Sequence, residues 1–232
     1  MIKNYIALDL ETTGLSAKED KIIEIGAIKV IDGQEKDIFE TLINPGRNIS
    51  ERITMVTGIN DATVAGAPYI EEVIKNLLDF AEELPLLGHN LMFDYSFVKR
   101  AAVNNRFEFE RKGVDTLKLS RKYLSDLESK KLDSLCRYFG IEDEHHHRAI
   151  NDARAAYKLY EILCDRYSAG DEEPVDLNYK VKREAPITPR QKLFLSDLVK
   201  KHNIPMDYDI DRLTKNEASR KIDIILSTFG RY

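Results

Sequence analysis

The chain has 232 residues, of which 43% are hydrophobic and 32% are charged. This length allows one or two domains with a core of their own, and the ordinary apolar fraction excludes an intrinsically disordered chain. A membrane span is excluded because no stretch approaches ~20 uncharged apolar residues. No signal-peptide pattern is found, and two cysteines, Cys136 and Cys164, cannot build a disulfide framework, so we expect a reducing, cytoplasmic location.

The net charge of −5 is unevenly distributed along the chain. Residues 181–232 carry 11 basic and 7 acidic residues, a net charge of +4, which leaves −9 for residues 1–180. A polycationic nucleic-acid binder is therefore excluded. Any contact with nucleic acid has to come from local basic patches and from metal ions.

Hydrophobic periodicity predicts an α/β domain. Polar and apolar residues alternate over 5–11, and two more β-rich runs at 21–31 and 37–43 complete an antiparallel meander. Helical spacing begins after Pro68, and a short apolar run at 84–87 indicates a buried strand. Further helices are expected within 91–102, 132–139 and 149–166. Strands followed by alternating helices and strands indicate a mixed central sheet.

Three parts are predicted along the chain. The α/β domain takes residues 1–167, and residues 168–187 have the aperiodic, partly acidic composition of a linker. Residues 188–232 form a small helical module, whose two helices begin at Thr-x-x-Gln and Thr-x-x-Glu capping boxes at Thr188 and Thr214.

Four carboxylates occupy positions that otherwise favour apolar residues. Asp9 and Glu11 lie two apart on one strand and face the same side, where their repulsion is relieved if a divalent cation lies between them. A polar strand end facing solvent is the alternative. Asp94 and Asp152 fall on the apolar stripes of their helices, although Asp94 could equally be a capping or surface residue.

The residue types favour hard metal ions. Carboxylate ligands suit Mg²⁺ or Mn²⁺, and a pair of such ions ~3.5–4 Å apart stabilises an in-line phosphoryl displacement. His147 precedes the last helix of the domain, and an ordinary histidine pKa near ~6.5 suits removal of a proton from water. Zinc is rejected because consecutive histidines do not converge on one ion, so His145 and His146 are interpreted as solvated loop residues.

Three motifs carry a family resemblance: Asp9-Leu-Glu-Thr-Thr-Gly14, Gly88-His-Asn-Leu-Met-Phe-Asp94 and His147-Arg-Ala-Ile-Asn-Asp152. They resemble, in order, the exonuclease motifs of the DEDDh family, and in particular its proofreading members of the DNA polymerase III epsilon-subunit (DnaQ-like) and PolC type. The resemblance covers residues 1–167. It implies an RNase H-like three-layer fold and metal-dependent 3′→5′ release of nucleoside 5′-monophosphates.

The resemblance also implies roles for individual residues. Asp9, Glu11 and Asp152 would hold the catalytic metal, Asp9 would bridge to a second ion held by Asp94 through water, and His147 would be the general base. Met55 lies in a stretch, 53–59, similar to one that lines the 3′-end pocket of the family, although a turn anchored by a glycine is the alternative. The expected substrate-binding set comprises Thr12, Thr13, Gly14, Leu15, Met55, His89, Asn90 and Phe93.

The main hypothesis is an enzyme that acts on single-stranded or frayed DNA 3′ ends. RNA trimming by the same chemistry is an alternative, since sugar selection depends on the shape of the pocket. A non-catalytic nucleic-acid-binding or partner-binding module is another. The C-terminal module could tether nucleic acid or bind a polymerase or helicase, or its charges could be only a solvated face.

Overall fold

A computed structural model describes residues 1–141 and 148–230. The chain divides into two compact units. The first consists of Met1–Pro45 and Ile49–Val181, and the second consists of Gly46–Asn48 and the chain from Lys182 onward. The boundary at Val181 falls inside the range that the sequence predicts as a linker.

The first unit is built on a six-stranded sheet. Its strands are β1 (Tyr5–Thr12), β2 (Ile22–Ile31), β3 (Gln34–Leu42), β4 (Leu86–Gly88), β5 (Lys112–Asp115) and β6 (Val175–Asp176). They lie in the order β3-β2-β1-β4-β5-β6. The first three strands form the expected antiparallel meander, β4 and β5 continue from β1 in parallel, and β6 is antiparallel. The predicted mixed sheet is confirmed.

The helices of the first unit connect and cover these strands. They are α1 (Glu51–Thr57), α2 (Asp61–Val64), α3 (Ile70–Ala81), α4 (Met92–Asn104), α5 (Thr116–Tyr123), α6 (Leu132–Phe139) and α7 (Ala149–Tyr167). The sequence pattern predicts α3, α4, α6 and α7. It does not predict α1, α2, β5 or α5; of these, α2 and β5 span only four residues each, which is too short to show a period.

The two faces of the sheet bury separate apolar clusters. Residues 6, 8 and 10 of β1 pack with α3 and α4, whereas Tyr5 and Ala7 pack with α7. Helices therefore cover both faces, as expected for a three-layer α/β fold. Since side chains alternate along a strand, Asp9 and Glu11 continue the side of Tyr5 and Ala7 and face α7.

Two segments within residues 168–187 carry regular structure. Ala169–Asp171 form a short 3₁₀ helix, and β6 pairs with Lys112 and Gly113 at the edge of the sheet. A two-residue strand has no detectable period, which is why the sequence shows only an aperiodic stretch here.

The second unit contains the helices α8 (Pro189–Lys201) and α9 (Lys215–Phe229). Both capping boxes are present. Thr188 and Gln191 exchange backbone-to-side-chain hydrogen bonds of 3.1 and 3.2 Å, and Thr214 and Glu217 do the same at 2.8 and 3.2 Å. The two helices enclose a cluster of apolar side chains: Leu195, Leu198, Val199, Leu213, Ala218, Ile222 and Ile225.

A short segment from the first half of the chain belongs to this second unit. The backbone NH of Asn48 donates to the carbonyl of Asp207 (2.7 Å), and the NH of Asp209 donates to that of Gly46 (2.8 Å). The sequence gives no sign of this pairing, because the partners lie far apart along the chain.

Within residues 1–141 and 148–230, no helix is long and apolar enough to cross a membrane. Among the described residues, Cys136 and Cys164 form no disulfide, and Cys136 is buried.

Candidate active site

Asp9 and Glu11 lie near the C-terminal end of β1, the strand at the centre of the sheet. Across the ladder to β2, Asp9 is paired with Gly26 and Glu11 with Glu24. The alternation of β1 directs both carboxylates toward α7, so the predicted shared face is observed.

Asp152 joins this pair from the first turn of α7 and is 8% exposed. Carboxylate oxygens of Asp9, Glu11 and Asp152 all lie within 4.8 Å of one another. This is a spacing that a single ion can bridge, and oxygen ligands of this kind suit a hard divalent cation.

Gly26 makes the approach of α7 possible. A Cβ atom at this position would lie 2.2 Å from the backbone nitrogen of Ile150 and 2.3 Å from the carbonyl carbon of Ala149. Any side chain here would therefore push the start of α7 off the sheet. The absence of a side chain at Gly26 lets Asp152 come near Asp9.

Asp94 enters from α4 on the other side of β1 and is only 2% exposed. Its Oδ1 accepts a hydrogen bond of 3.1 Å from the backbone NH of Leu10, the residue between Asp9 and Glu11. All four carboxylates line one cleft of about 220 Å³, together with Leu10, His89, Phe93, Leu132 and Asp133.

Burial and mutual repulsion raise the pKa values of the carboxyl groups. Burial, followed by the charge of Asp152, raises the pKa of Glu11 to about 8. Burial also raises the pKa of Asp9 well above its ordinary range, with Asp94 and Asp152 adding to the effect. The pKa of Asp94 is raised by burial against the opposing effect of its backbone hydrogen bonds. A cation in the cleft would offset these penalties, since opposite charge favours ionised carboxylates.

His89 is held rigidly at the cleft wall. Its Nε2–H donates to the carbonyl of Lys130 (2.8 Å), and its Nδ1 lies 2.9 Å from Thr116 Oγ1. Burial lowers the pKa of this imidazole, which favours the neutral ring. Both ring nitrogens are therefore engaged with the protein, and the side chain shapes the cleft.

Asn90 has left-handed backbone geometry, with φ of 68°, and its NH donates to Asp115 Oδ1 (2.9 Å). The same oxygen caps α5 by accepting from Leu117 N at 3.0 Å. Phe93 lines the cleft and packs against Phe97, with ring centroids 5.0 Å apart.

The turn after β1 is internally bonded. The hydroxyl of Thr12 donates to the carbonyl of Gly14 (2.6 Å), and that of Thr13 donates to Asp20 Oδ1 (3.4 Å). Leu15 and Met55 are large apolar residues that are 86% and 87% exposed. Neither is among the described residues that line the 220 Å³ cleft.

His147, the residue expected to act as general base, falls in 142–147 and lies outside the described residues, as do His145 and His146. The next residue, Arg148, is described. Its side chain contacts Glu24, which is completely buried.

Three residues at or beside the cleft are not among the site residues predicted from the sequence: Glu24, Gly26 and Asp133. The signal for the first two was available, because a glutamate and a glycine interrupt the apolar run Ile22-Ile-Glu-Ile-Gly-Ala-Ile28 at positions two apart. Residues spaced by two share one face of a strand, here the face of Asp9. Asp133 had no such signal, since α6 reaches the cleft only through tertiary packing.

The fold is that of RNase H-like exonucleases. Escherichia coli exonuclease I in complex with a dA16 oligonucleotide has a TM-score of 0.63 at 16% identity, over 72% of this chain and 42% of that one. Exonuclease X in complex with 5′ overhanging duplex DNA has a TM-score of 0.53 at 28% identity, over 70% of this chain and 92% of that one. The expected fold class is confirmed.

A family profile described as Exonuclease (RNase_T) matches residues 6–160, a range that contains Asp9, Glu11, Asp94 and Asp152. The chain therefore belongs to this exonuclease family. The DNA polymerase III PolC-type of Caldanaerobacter subterraneus subsp. tengcongensis is 44% identical over 162 residues, which are 70% of this chain and 12% of that protein. The chain thus spans only about an eighth of the length of this curated relative.

Proposed function

We propose that the chain is a 3′→5′ exonuclease that releases nucleoside 5′-monophosphates from single-stranded or frayed DNA ends. The observation that carries the proposal is the convergence of Asp9, Glu11 and Asp152 within 4.8 Å, in a cleft that also holds Asp94. DNA is favoured over RNA because the PolC-type relative is a DNA polymerase and exonuclease X was solved with DNA.

Carboxylate ligands suit hard divalent cations, and the proposal assigns two such ions, Mg²⁺ or Mn²⁺, to this cleft. Asp9, Glu11 and Asp152 would hold one ion, and Asp9 and Asp94 would hold the second. When bound, such a pair of ions stabilises the attacking and leaving oxygens of an in-line phosphoryl displacement.

The remaining steps fall to the protein's own side chains. The hydrogen bond from Leu10 N fixes Asp94 against β1. Asp94 is therefore held by the same strand that carries Asp9 and Glu11. His147 would take a proton from the attacking water, a role that contributes about 10²–10⁴-fold to such reactions.

We assign the 3′-terminal nucleotide to the surface around this cleft. Exposed apolar side chains such as Leu15 and Met55 can pack against bases, and Phe93 offers an aromatic face at the cleft itself. Thr12, Thr13 and Gly14 would form the turn that receives the terminal sugar. His89 and Asn90 would support the cleft wall without contacting the reacting phosphate.

The test is incubation of the full chain with end-labelled single-stranded DNA, recessed duplex and RNA, with Mg²⁺, Mn²⁺ or chelator, and sizing of the products. Single-nucleotide products that appear only with metal, and faster from DNA than from RNA, support the proposal. A free 3′ hydroxyl should be required, so a 3′-phosphorylated strand should resist. Rapid cleavage of a closed circle would instead identify an endonuclease, and faster trimming of RNA would reassign the substrate.

A further inference from the structure

Glu24 is a fully buried carboxylate on β2, with an exposed fraction of 0%. It lies directly across the ladder from Glu11, on the face of the sheet that α7 covers. Placing a second carboxylate beside Glu11 is unfavourable, because like charges in a buried site repel. An apolar residue would suffice if this position only filled the core, so the glutamate needs a separate explanation.

Both oxygens of Glu24 bind the start of α7. Oε1 accepts a hydrogen bond from Arg148 Nε (2.8 Å) and lies 2.6 Å from Nη2 of the same guanidinium. Oε2 accepts from the backbone NH of Ala149 at 3.0 Å. That NH belongs to the first turn of the helix, where backbone donors have no intrahelical partner.

These contacts fix the distance between the first turn of α7 and the sheet, and the rotation of that turn about the helix axis. Gly26 sets how near the helix can come, since a Cβ there would overlap the backbone of Ala149 and Ile150. Asp152 follows Ala149 by three residues, which is about one helical turn, so it moves with whatever displaces Ala149. The position of Asp152 relative to Asp9 and Glu11 therefore depends on Glu24.

A second ion pair between α7 and the sheet provides an internal comparison. Arg154 pairs with both carboxylate oxygens of Glu35 on β3, at 2.9 and 3.2 Å, and both side chains are about one-third exposed. This pair also joins α7 to the sheet, but near the surface and farther along the helix. Attachment of α7 to the sheet therefore does not by itself require a buried glutamate beside Glu11.

We propose that Glu24 and Arg148 are positioning residues that hold Asp152 at ligand distance from Asp9 and Glu11, and so set the affinity of the site for a divalent cation. The inference rests on the proposed function only in assigning the carboxylate cluster to metal binding. Displacement of a catalytic group by about 1 Å can reduce the rate of an enzymatic reaction about 10²-fold. Loss of residues that orient metal ligands typically reduces metal affinity about 10–100-fold.

The test measures Mn²⁺ binding to the full chain by isothermal titration calorimetry, in the absence of nucleic acid. Arg148→Ala removes the guanidinium from a side chain that is 44% exposed, and Glu24→Gln replaces one acceptor oxygen by a donor. Both should weaken Mn²⁺ binding by about 10-fold or more. Arg148→Lys keeps the charge but not the paired geometry, so its affinity should be intermediate.

Arg154→Ala is the matched control, since it removes an arginine–glutamate pair from the same helix. It should lower the melting temperature without changing Mn²⁺ affinity. If Arg148→Ala folds and binds Mn²⁺ like wild type, or if Arg154→Ala weakens binding equally, the positioning role is wrong. If Glu24→Gln fails to fold, Arg148→Ala and Arg148→Lys still decide the question.

Nuclease assays on the same proteins separate the two proposals. Wild-type protein that binds Mn²⁺ but cleaves no nucleic acid would contradict the proposed function and leave the positioning role supported by the binding data. Wild type that cleaves normally, alongside an Arg148→Ala protein with unchanged affinity, would contradict the positioning role alone. A wild type that binds no divalent cation would overturn both.

Discussion

Both units bury carboxylates, but the surroundings of these groups differ. In the second unit, Glu217 is 5% exposed; its Oε2 accepts from Thr214 N at 2.8 Å, and Arg47 lies 3.9 Å away. In the first unit, Asp9, Glu11 and Asp152 gather so that their charges face one another.

The difference distinguishes a carboxylate that stabilises the fold from the carboxylates that the proposed function assigns to metal binding. Glu217 completes a helix cap, so its burial is compensated by hydrogen bonds within the fold. The cluster around Asp9 raises the pKa values of its members, which is unfavourable for the fold alone and favourable for binding a cation.

The largest effect is expected for Asp9→Asn. The amide keeps the size of the side chain but removes the ligand that would contact both ions, so nuclease activity should fall to background. Its melting temperature in chelator should not fall, because one member of a repelling cluster is neutralised. Glu217→Gln, the matched change in the second unit, should keep full activity. An active Asp9→Asn protein would contradict the site assignment.

His147→Ala should reduce the rate by about 10²–10⁴-fold and leave substrate binding largely intact. The wild-type rate should rise with pH as the general base loses its proton, and this rise should disappear in the variant. His146→Ala is the control, since it removes a neighbouring histidine without a proposed role. Equal rates and pH profiles for His147→Ala and wild type would remove the base from the mechanism.

A smaller effect is expected on the stability of the protein, which should depend on both pH and the presence of a divalent cation. The pKa of Glu11 rises from 4.5 to about 8 on folding, so between these values the folded protein retains a proton that the unfolded chain has released. Stability of the metal-free protein should therefore decline as pH rises through that window. A cation binds the ionised form, so the Mg²⁺-induced rise in melting temperature should grow over the same window.

Melting curves in chelator and in Mg²⁺ across this pH range provide the measurement, with Glu11→Gln as the comparison. The variant should lose much of the pH dependence in chelator. A wild-type Mg²⁺ effect that does not change with pH would show that Glu11 is already ionised in the metal-free protein.

Much of this fold could be predicted from sequence because its central elements are long and strongly periodic. The alternation of residues 5–11 defines β1 and the face of its carboxylates, and the capping boxes at Thr188 and Thr214 mark two helix starts. Elements such as β6 and the segment Gly46–Asn48 could not be found, since they depend on partners distant in sequence.

The candidate site likewise contains some residues that local sequence patterns indicate and others whose role depends on partners distant in sequence. Asp9, Glu11, Asp94 and Asp152 are charged residues on otherwise apolar faces, a pattern that left alternatives open for three of them until the three-motif resemblance assigned all four to one site. The structure brings all four to one cleft. Glu24 and Gly26 also interrupt an apolar strand, but their meaning depends on α7 lying over them. Only the tertiary packing connects the start of that helix to this part of the sheet.

The smallest expected effect concerns the cationic second unit. Several of its cations are engaged within it: Lys192 pairs with Asp211, and Lys221 lies over the ring of Tyr208, 3.5 Å from its centroid. Arg190 and Lys200, on α8, are exposed. If the second unit holds the DNA strand that leads to the carboxylate cleft, the side chains of Arg190 and Lys200 are available to bind its phosphates.

The variant Arg190→Glu/Lys200→Glu should therefore bind long single-stranded DNA more weakly. A plot of log affinity against log salt concentration has a negative slope. This slope should become shallower by about 0.7 for every phosphate that the variant no longer neutralises. Hydrolysis of a small nucleotide ester, which cannot reach beyond the cleft, should proceed at the wild-type rate. Lys192→Gln is the control, because its charge is already paired with Asp211, and it should change the salt dependence much less.

If the double variant keeps both the affinity and the salt slope of wild type, the second unit does not tether nucleic acid. A protein partner such as a polymerase or helicase would then be the next candidate to test by direct binding.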